Sequence, residues 1–105
     1  MGDSDLLFIY GTLKQDYVQR ALLGRELSGT PDRLAGHRKI VVTLGDTLYP
    51  DIEPAPGESV DGLLVYVNEK ELHMLDTYEG REYVRKEVVL ESGAKAWVYA
   101  AQHPH

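Results

Sequence analysis

The chain contains no cysteine, which removes disulfides, thiolate nucleophiles and Cys-based zinc sites together. An oxidising compartment is therefore not demanded, and the cytoplasm is the expected location. Basic residues are the minority, with 11 Lys and Arg against 17 Asp and Glu and a net charge of -6. A phosphate backbone draws on clustered Lys and Arg, so no nucleic-acid partner is expected. Long apolar runs are missing too. The start from Met1 to Asp5 is acidic and polar, lacks a basic region and precedes only a short apolar stretch. Neither a secretory signal nor a membrane-spanning helix is expected from it, and no membrane partner. Internal repeats and low-complexity tracts are absent.

What is present is ordinary globular composition, 43% apolar and 27% charged over 105 residues without a break. This fits one domain over residues 1–105, whose single fold must hold the whole site. Leu6-Leu7-Phe8-Ile9-Tyr10 is a compact apolar run ended by Gly11, the pattern of a strand buried on both faces. Gln15 to Leu23 carries Val18, Ala21 and Leu22 at helical spacing before Gly24, which predicts a short amphipathic helix starting beside the Gly11 turn. Leu34-Ala35-Gly36-His37 leads into Lys39 to Leu44, together reading as a strand bent at Gly36 and ended by Gly45-Asp46. Tyr49 to Gly57 holds three prolines and two acids and reads as an irregular crossing loop that rims a pocket. Val60 to Val67 resumes a strand. Asn68 is placed to cap a helix from Glu69, with Glu71 reaching back, Leu72 and Leu75 as the inner stripe and Gly80 as the stop. Tyr83 to Leu90 and Lys95 to Ala101 form a hairpin around Ser92-Gly93. The class is α+β, a small curled sheet or barrel of about five or six strands with two short helices, and Gln102 to His105 is a frayed end.

Two motifs carry chemistry. In Tyr10-Gly11-Thr12-Leu13 the glycine permits a tight turn, and successive amides near a helix start can face an anion such as a substrate carboxylate. The same turn also reads as a plain strand-to-helix connection. Lys14 does not make it a phosphate loop, because G-x-x-x-x-G-K-[ST] is absent. Glu79 lies between Tyr78 and Gly80 at the end of an apolar-faced helix. Partial burial there raises its pKa from about 4.3 toward neutrality, and the charges of Asp76 and Glu82, three residues to either side, push the same way. Taken alone, the stretch also reads as a solvated acidic face. None of the four histidines has a persuasive partner. His73 precedes Asp76 by a spacing that could share a metal, but such pairs are common on helices, and His103 and His105 belong to the tail. No metal site and no cofactor are expected. Trp97 and Tyr99 alternate on the last strand as packing residues, and Tyr49 reads as wall.

The ordered set resembles the γ-glutamylcyclotransferase-like family, also called AIG2-like, in its small bacterial form. The resemblance rests on Leu7-Phe8-Ile9-Tyr10-Gly11-Thr12-Leu13-Lys14, Gly45 to Pro50, Val60-Asp61-Gly62-Leu63, and Leu75-Asp76-Thr77-Tyr78-Glu79-Gly80 followed by Tyr83 and Arg85. It implies a small mixed β-barrel with helices outside. It implies a loop from Tyr10 to Leu13 that holds the amino-acid end of a γ-glutamyl compound, and Glu79 as the acid-base. Tyr83 either hydrogen-bonds the substrate or fills the barrel mouth. The chain departs from the family after the loop, where relatives often carry Gly and Asn and this sequence reads Gln15-Asp16-Tyr17-Val18-Gln19. That difference bears on substrate identity. The implied reaction is a cofactor-free cyclisation: the substrate's α-amine attacks its own γ-carbonyl, releasing 5-oxoproline and an amine or amino acid. The alternative is a non-catalytic module that binds or senses small carboxylates. A glycosidase-like pair of Asp76 and Glu79 is a weaker reading, because groups one helical turn apart share one side of a pocket. The expected partner is a small γ-glutamyl molecule, and the oligomeric state is left open.

Overall fold

The computed structural model describes residues 4–101, apart from the side chains of Ser4, Thr12 and Leu44. The tail with His103 and His105 lies outside the described residues. Strand β1 (Ser4–Ile9) is followed by helix α1 (Asp16–Leu23), strands β2 (Gly29–Leu44) and β3 (Thr47–Asn68), helix α2 (Glu69–Glu79), and strands β4 (Tyr83–Val89) and β5 (Lys95–Ala101). Short 3₁₀ turns cover Thr12–Lys14 and Gly80–Glu82. The five strands form one sheet in the order β2-β3-β1-β5-β4. Only the β1–β5 pair is parallel.

β1 is the centre of this sheet, and that is why its sequence is apolar without alternation. Leu7 and Ile9 join a cluster with Val65 and Val67 of β3 and with Leu72 and Leu75 of α2. Phe8 joins a second cluster on the other face, with Leu34, Ile52, Val60 and Val98. β5 divides its side chains the same way: Tyr99 and Ala101 enter the first cluster, Ala96, Val98 and Ala100 the second. The sheet curls around the second cluster as half a barrel, with α2 packed outside. Its two ends are tied where the Glu91 amide donates to the Arg33 carbonyl at 2.8 Å and the Ser92 hydroxyl donates to Asp32. Among the described residues no helix is long and apolar enough to cross a membrane.

The stretch from Tyr49 to Gly57 is not the irregular loop expected from its prolines. Tyr49 to Pro54 pair in register with β2, from Val42↔Tyr49 to His37↔Pro54, and only residues 55–58 depart, opposite Gly36. Gly36 and Gly57 both adopt positive φ, 76° and 86°, so the bend uses conformations that other residues avoid. The prolines are tolerated because Pro50 and Pro54 share strand parity and turn one backbone edge away from β2. The Pro50 carbonyl shows this by accepting the Tyr83 hydroxyl. A proline's missing N–H on that edge costs no ladder bond.

Close approach accounts for one more glycine. A Cβ at Gly62 would meet the Ile9 carbonyl oxygen at 2.5 Å and the Phe8 ring at 2.6 Å, and β1 is flanked on both sides and cannot retreat. Gly62→Ala is expected to destabilise the fold by about 1–3 kcal/mol, the usual cost of overpacking, measured by urea unfolding. A midpoint equal to the parent's would remove this constraint.

Candidate active site

Local chemistry delivers Glu79 to the interior. The Asn68 side chain accepts the Glu71 amide at 2.8 Å, and the Glu71 side chain accepts the Asn68 amide at 3.0 Å, completing a capping box. Arg25 then grips Glu71 with two bonds of 2.6 and 2.7 Å. From this fixed start, Leu72, Leu75 and Glu79 recur at helical spacing on one face, and both leucines are buried. The Gly80 amide closes on the Asp76 carbonyl with φ of 71°, ending α2 where Glu79 meets the core.

The opposing wall is the turn after β1. The Lys14 amide donates to the Gly11 carbonyl at 3.0 Å, so the amides of Thr12 and Leu13 stand ahead of the turn's first bond, where a helix has no carbonyl for them. The Thr12 side chain lies outside the described residues. Gly11 does not adopt a positive φ; glycine serves there because a Cβ would press on Pro50 at 3.1 Å. The 3₁₀ turn also separates Gly11 from α1, which begins at Asp16 rather than beside the glycine. Gln19, almost fully buried, braces the turn from behind. Its Nε2 donates to the Leu13 carbonyl and its Oε1 accepts the Leu27 amide, both at 2.7 Å.

These walls enclose a cavity of about 330 Å³, lined by Tyr10, Gly11 and Leu13, by Leu48, Tyr49 and Pro50, by Tyr78 and Glu79, and by Tyr83 and Tyr99. Tyr49 meets Tyr83 edge to face, with ring centroids 6.1 Å apart. Burial pushes the Glu79 carboxyl up to about 7, and the negative end of α2 acts in the same direction. Of the five tyrosines that line the cavity, Tyr10, Tyr83 and Tyr99 feel the Glu79 charge, and each donates its hydroxyl elsewhere. Tyr10 donates to the Tyr99 carbonyl at 2.6 Å, Tyr83 to the Pro50 carbonyl, and Tyr99 to Asp76 Oδ1 at 2.7 Å. Burial first, and then neighbouring groups including Glu79, hold all three phenols above their ordinary range. Among the described residues none hydrogen-bonds Glu79, whose oxygens keep access to the cavity.

The expected help from Asp76 and Glu82 is not found, since burial accounts for the Glu79 shift. Asp76 instead accepts two bonds from Arg85 at 3.0 and 3.1 Å in addition to that from Tyr99. This removes it from any carboxylate pair with Glu79 and from a metal site with His73, which is exposed and 3.9 Å from Glu69. Among the described residues no three His, Cys, Asp or Glu side chains are placed to hold a metal. Sequence reasoning took Tyr99 for packing alone and assigned nothing to Gln19 or Arg85. The side-by-side positions of Trp97 and Tyr99 in the strand were visible, but not the partner of the Tyr99 hydroxyl.

Residues 7–105 match the family described as "Gamma-glutamyl cyclotransferase, AIG2-like". Over 83 residues the chain is 32% identical to AIG2-like protein D of Arabidopsis thaliana, a match covering 78% of this chain and 53% of that protein. AIG2-like protein C of the same plant is 36% identical over 83 residues, covering 78% of this chain and 47% of that protein. The chain thus spans about half the length of these curated relatives. A solution structure of an Arabidopsis thaliana protein has a TM-score of 0.81 at 27% identity, covering 94% of this chain and 69% of that one. A solved structure described as "Gamma-glutamyl cyclotransferase" has a TM-score of 0.82 at 22% identity, covering 95% and 68%, a likeness of fold. Because the family match runs through the Tyr10 turn, the bent β2–β3 hairpin and Glu79 alike, the chain belongs to the gamma-glutamyl cyclotransferase, AIG2-like family.

Proposed function

We propose that this chain is a γ-glutamyl cyclotransferase, acting on a γ-glutamyl amine or γ-glutamyl amino acid and releasing 5-oxoproline. The observation that carries the reading is a desolvated carboxylate without a hydrogen-bond donor, sharing one cavity with the turn at Tyr10 to Leu13. The amides of Thr12 and Leu13 hold the substrate's α-carboxylate, and Tyr83 and Tyr49 wall the γ-glutamyl chain. Glu79 takes a proton from the α-ammonium. The freed amine attacks the γ-carbonyl carbon, the lactam C–N bond forms as the attacking nitrogen sheds its second proton, and the bond to the leaving nitrogen breaks as protonated Glu79 returns its proton there. The departing amine takes up the shed proton, so the products are 5-oxoproline and an ammonium, and atoms and charge balance without a second reactant.

The proton transfer is well matched. A carboxyl near 7 and an α-ammonium near about 8 differ by little, so Glu79 can both take and return the proton, whereas an ordinary carboxylate would be too weak a base. Holding the five-membered approach can correspond to an effective molarity of about 10⁵–10⁸ M. In this reading the substrate is a small molecule, neither nucleic acid nor membrane is a partner, no cofactor takes part, and the site of action is the cytoplasm.

Glu79→Gln is expected to lower 5-oxoproline release from a γ-glutamyl panel by about 10²–10⁴-fold while leaving the circular-dichroism spectrum unchanged. A variant as fast as the parent rejects the mechanism. Binding by calorimetry, with the ligand unaltered in mass spectra and Glu79→Gln tolerated, identifies the small-carboxylate binding module instead.

Since the base must be ionised, kcat/KM should fall on the acid side with a midpoint near 7, read from a pH–rate profile. A midpoint in the ordinary carboxylate range contradicts the tuned site.

The same burial costs stability. Glu79 holds its proton more tightly folded than unfolded, so between 4.5 and about 7 the folded chain binds more protons and loses stability as pH rises. Glu79→Gln lacks this loss. Urea unfolding is expected to show the variant more stable than the parent by about 2–3 kcal/mol at pH near 8 and equal to it at pH near 4. Equal stability at both pH values would show that the carboxylate is not desolvated.

A further inference from the structure

The helix that carries Glu79 and the turn that begins at Tyr10 are fastened to the same residue of β5. Tyr99 is buried; its hydroxyl donates to Asp76 at 2.7 Å, while its carbonyl accepts the Tyr10 hydroxyl at 2.6 Å. Asp76 precedes Glu79 by one turn of α2. The fork of Arg85, reaching from β4, holds the same carboxylate through Nε and Nη2, and the guanidinium lies 4.5 Å over the Trp97 ring. Trp97, Arg85, Asp76, Tyr99 and Tyr10 therefore form a continuous line of contacts that reaches the cavity at Tyr99 and Tyr10.

Helix chemistry alone gives no reason for an aspartate there. A carboxylate in the last turn opposes the helix dipole, α2 has no basic residue in that turn, and the C-cap bond comes from Gly80. Asp76 weakens the helix it belongs to, and its bonds run sideways to β4 and β5. A two-bond fork and a third bond from another direction fix the rotation of the last turn, which a single bond would not.

We propose that Asp76, gripped by Arg85 and Tyr99, is the positioning residue that sets the Glu79 carboxylate against the Tyr10 turn. The proposal rests on Glu79 as the proton carrier. Misplacing a reacting group by about 1 Å can cost about 10²-fold, so the clamp acts on turnover more than on substrate binding. Titratable side chains lining the cavity with Glu79 are Tyr10, Tyr49, Tyr78, Tyr83 and Tyr99, and Asp51 acts on Tyr10 and Tyr83. Burial keeps Tyr10, Tyr83 and Tyr99 protonated through neutral pH, and Asp51 is left in place by the variants below.

Tyr99→Phe keeps the ring and removes the hydroxyl bond; Asp76→Asn keeps the shape and removes the charge that Arg85 grips. Each is measured for kcat, KM, folded fraction and, by carbon-13 NMR, titration of the Glu79 carboxyl. The expected result is kcat lower by about 10–100-fold with KM within about threefold, and a Glu79 midpoint moved down from near 7 as water reaches the loosened turn. A merely structural role would lower kcat only in proportion to the folded fraction and leave the midpoint in place; either finding in both variants overturns the proposal. Should Asp76→Asn not fold, Tyr99→Phe decides alone. Should the parent release no 5-oxoproline, the proposed function fails, and the NMR midpoint alone then decides whether Asp76 positions Glu79.

Discussion

One carboxylate taken out of water with no proton offered to it organises this site. A carboxylate that accepts two or three hydrogen bonds settles well below its ordinary pKa, so the buried phenols of Tyr10, Tyr83 and Tyr99 could together have disarmed Glu79. Each is prevented by a specific acceptor: the Tyr99 carbonyl for Tyr10, the Pro50 carbonyl for Tyr83 and Asp76 for Tyr99. The hydrogen bonds that matter most to Glu79 are thus ones it does not make. They also keep the aromatic wall rigid, because a phenol bonded to a neighbouring strand is not free to swing toward the anion.

The fold produces this arrangement by making a few residues serve two ends. Pro50 sits against Gly11, takes the Tyr83 proton on its carbonyl, and occupies a strand position whose missing N–H goes unneeded. Gly62 lets β3 lie against Ile9 and Phe8, which puts the end of β1, and so the Tyr10 turn, at the cavity rather than above it. Asp51, fully buried in β3, accepts the Ala101 amide at 2.8 Å and fixes the end of β5 beside the same wall. The Tyr10 turn, the start of β3, the end of α2 and the start of β4 converge on one cavity because their neighbours permit close approach.

What could be read in advance was what neighbouring residues decide. The capping box from Asn68 to Glu71, the Leu72–Leu75 stripe and the Gly80 stop lie within a few turns of chain, and the structure forms the helix they define. The continuous apolar run of β1 and the hairpin of β4 and β5 follow in the same way. Val60 to Val67 was legible as strand, but the first half of β3 was hidden, because whether a proline breaks a strand depends on which edge is paired, and that is set by β2. Gly11 was read as a turn maker when its reason is Pro50, 39 positions away by number. Spacing along α2 suggested that Asp76 would raise Glu79 by repulsion; it contained no sign that Arg85, in the next strand, would take that charge.

Asp76 and Glu79 are chemically near-identical groups on one face of one helix, one turn apart, and their helical surroundings do not distinguish them. The strands do. Arg85 and Tyr99 surround the first with donors and leave the second facing phenols whose protons are committed elsewhere. Environments that drive two like groups apart assign them different work: the paired carboxylate is suited to holding geometry, and the unpaired one to moving a proton. A carboxylate-pair mechanism needs both groups to face the bond being broken, and here one of them is already fully engaged with the protein. Division of labour between the two carboxylates is therefore a property of β4 and β5 rather than of α2.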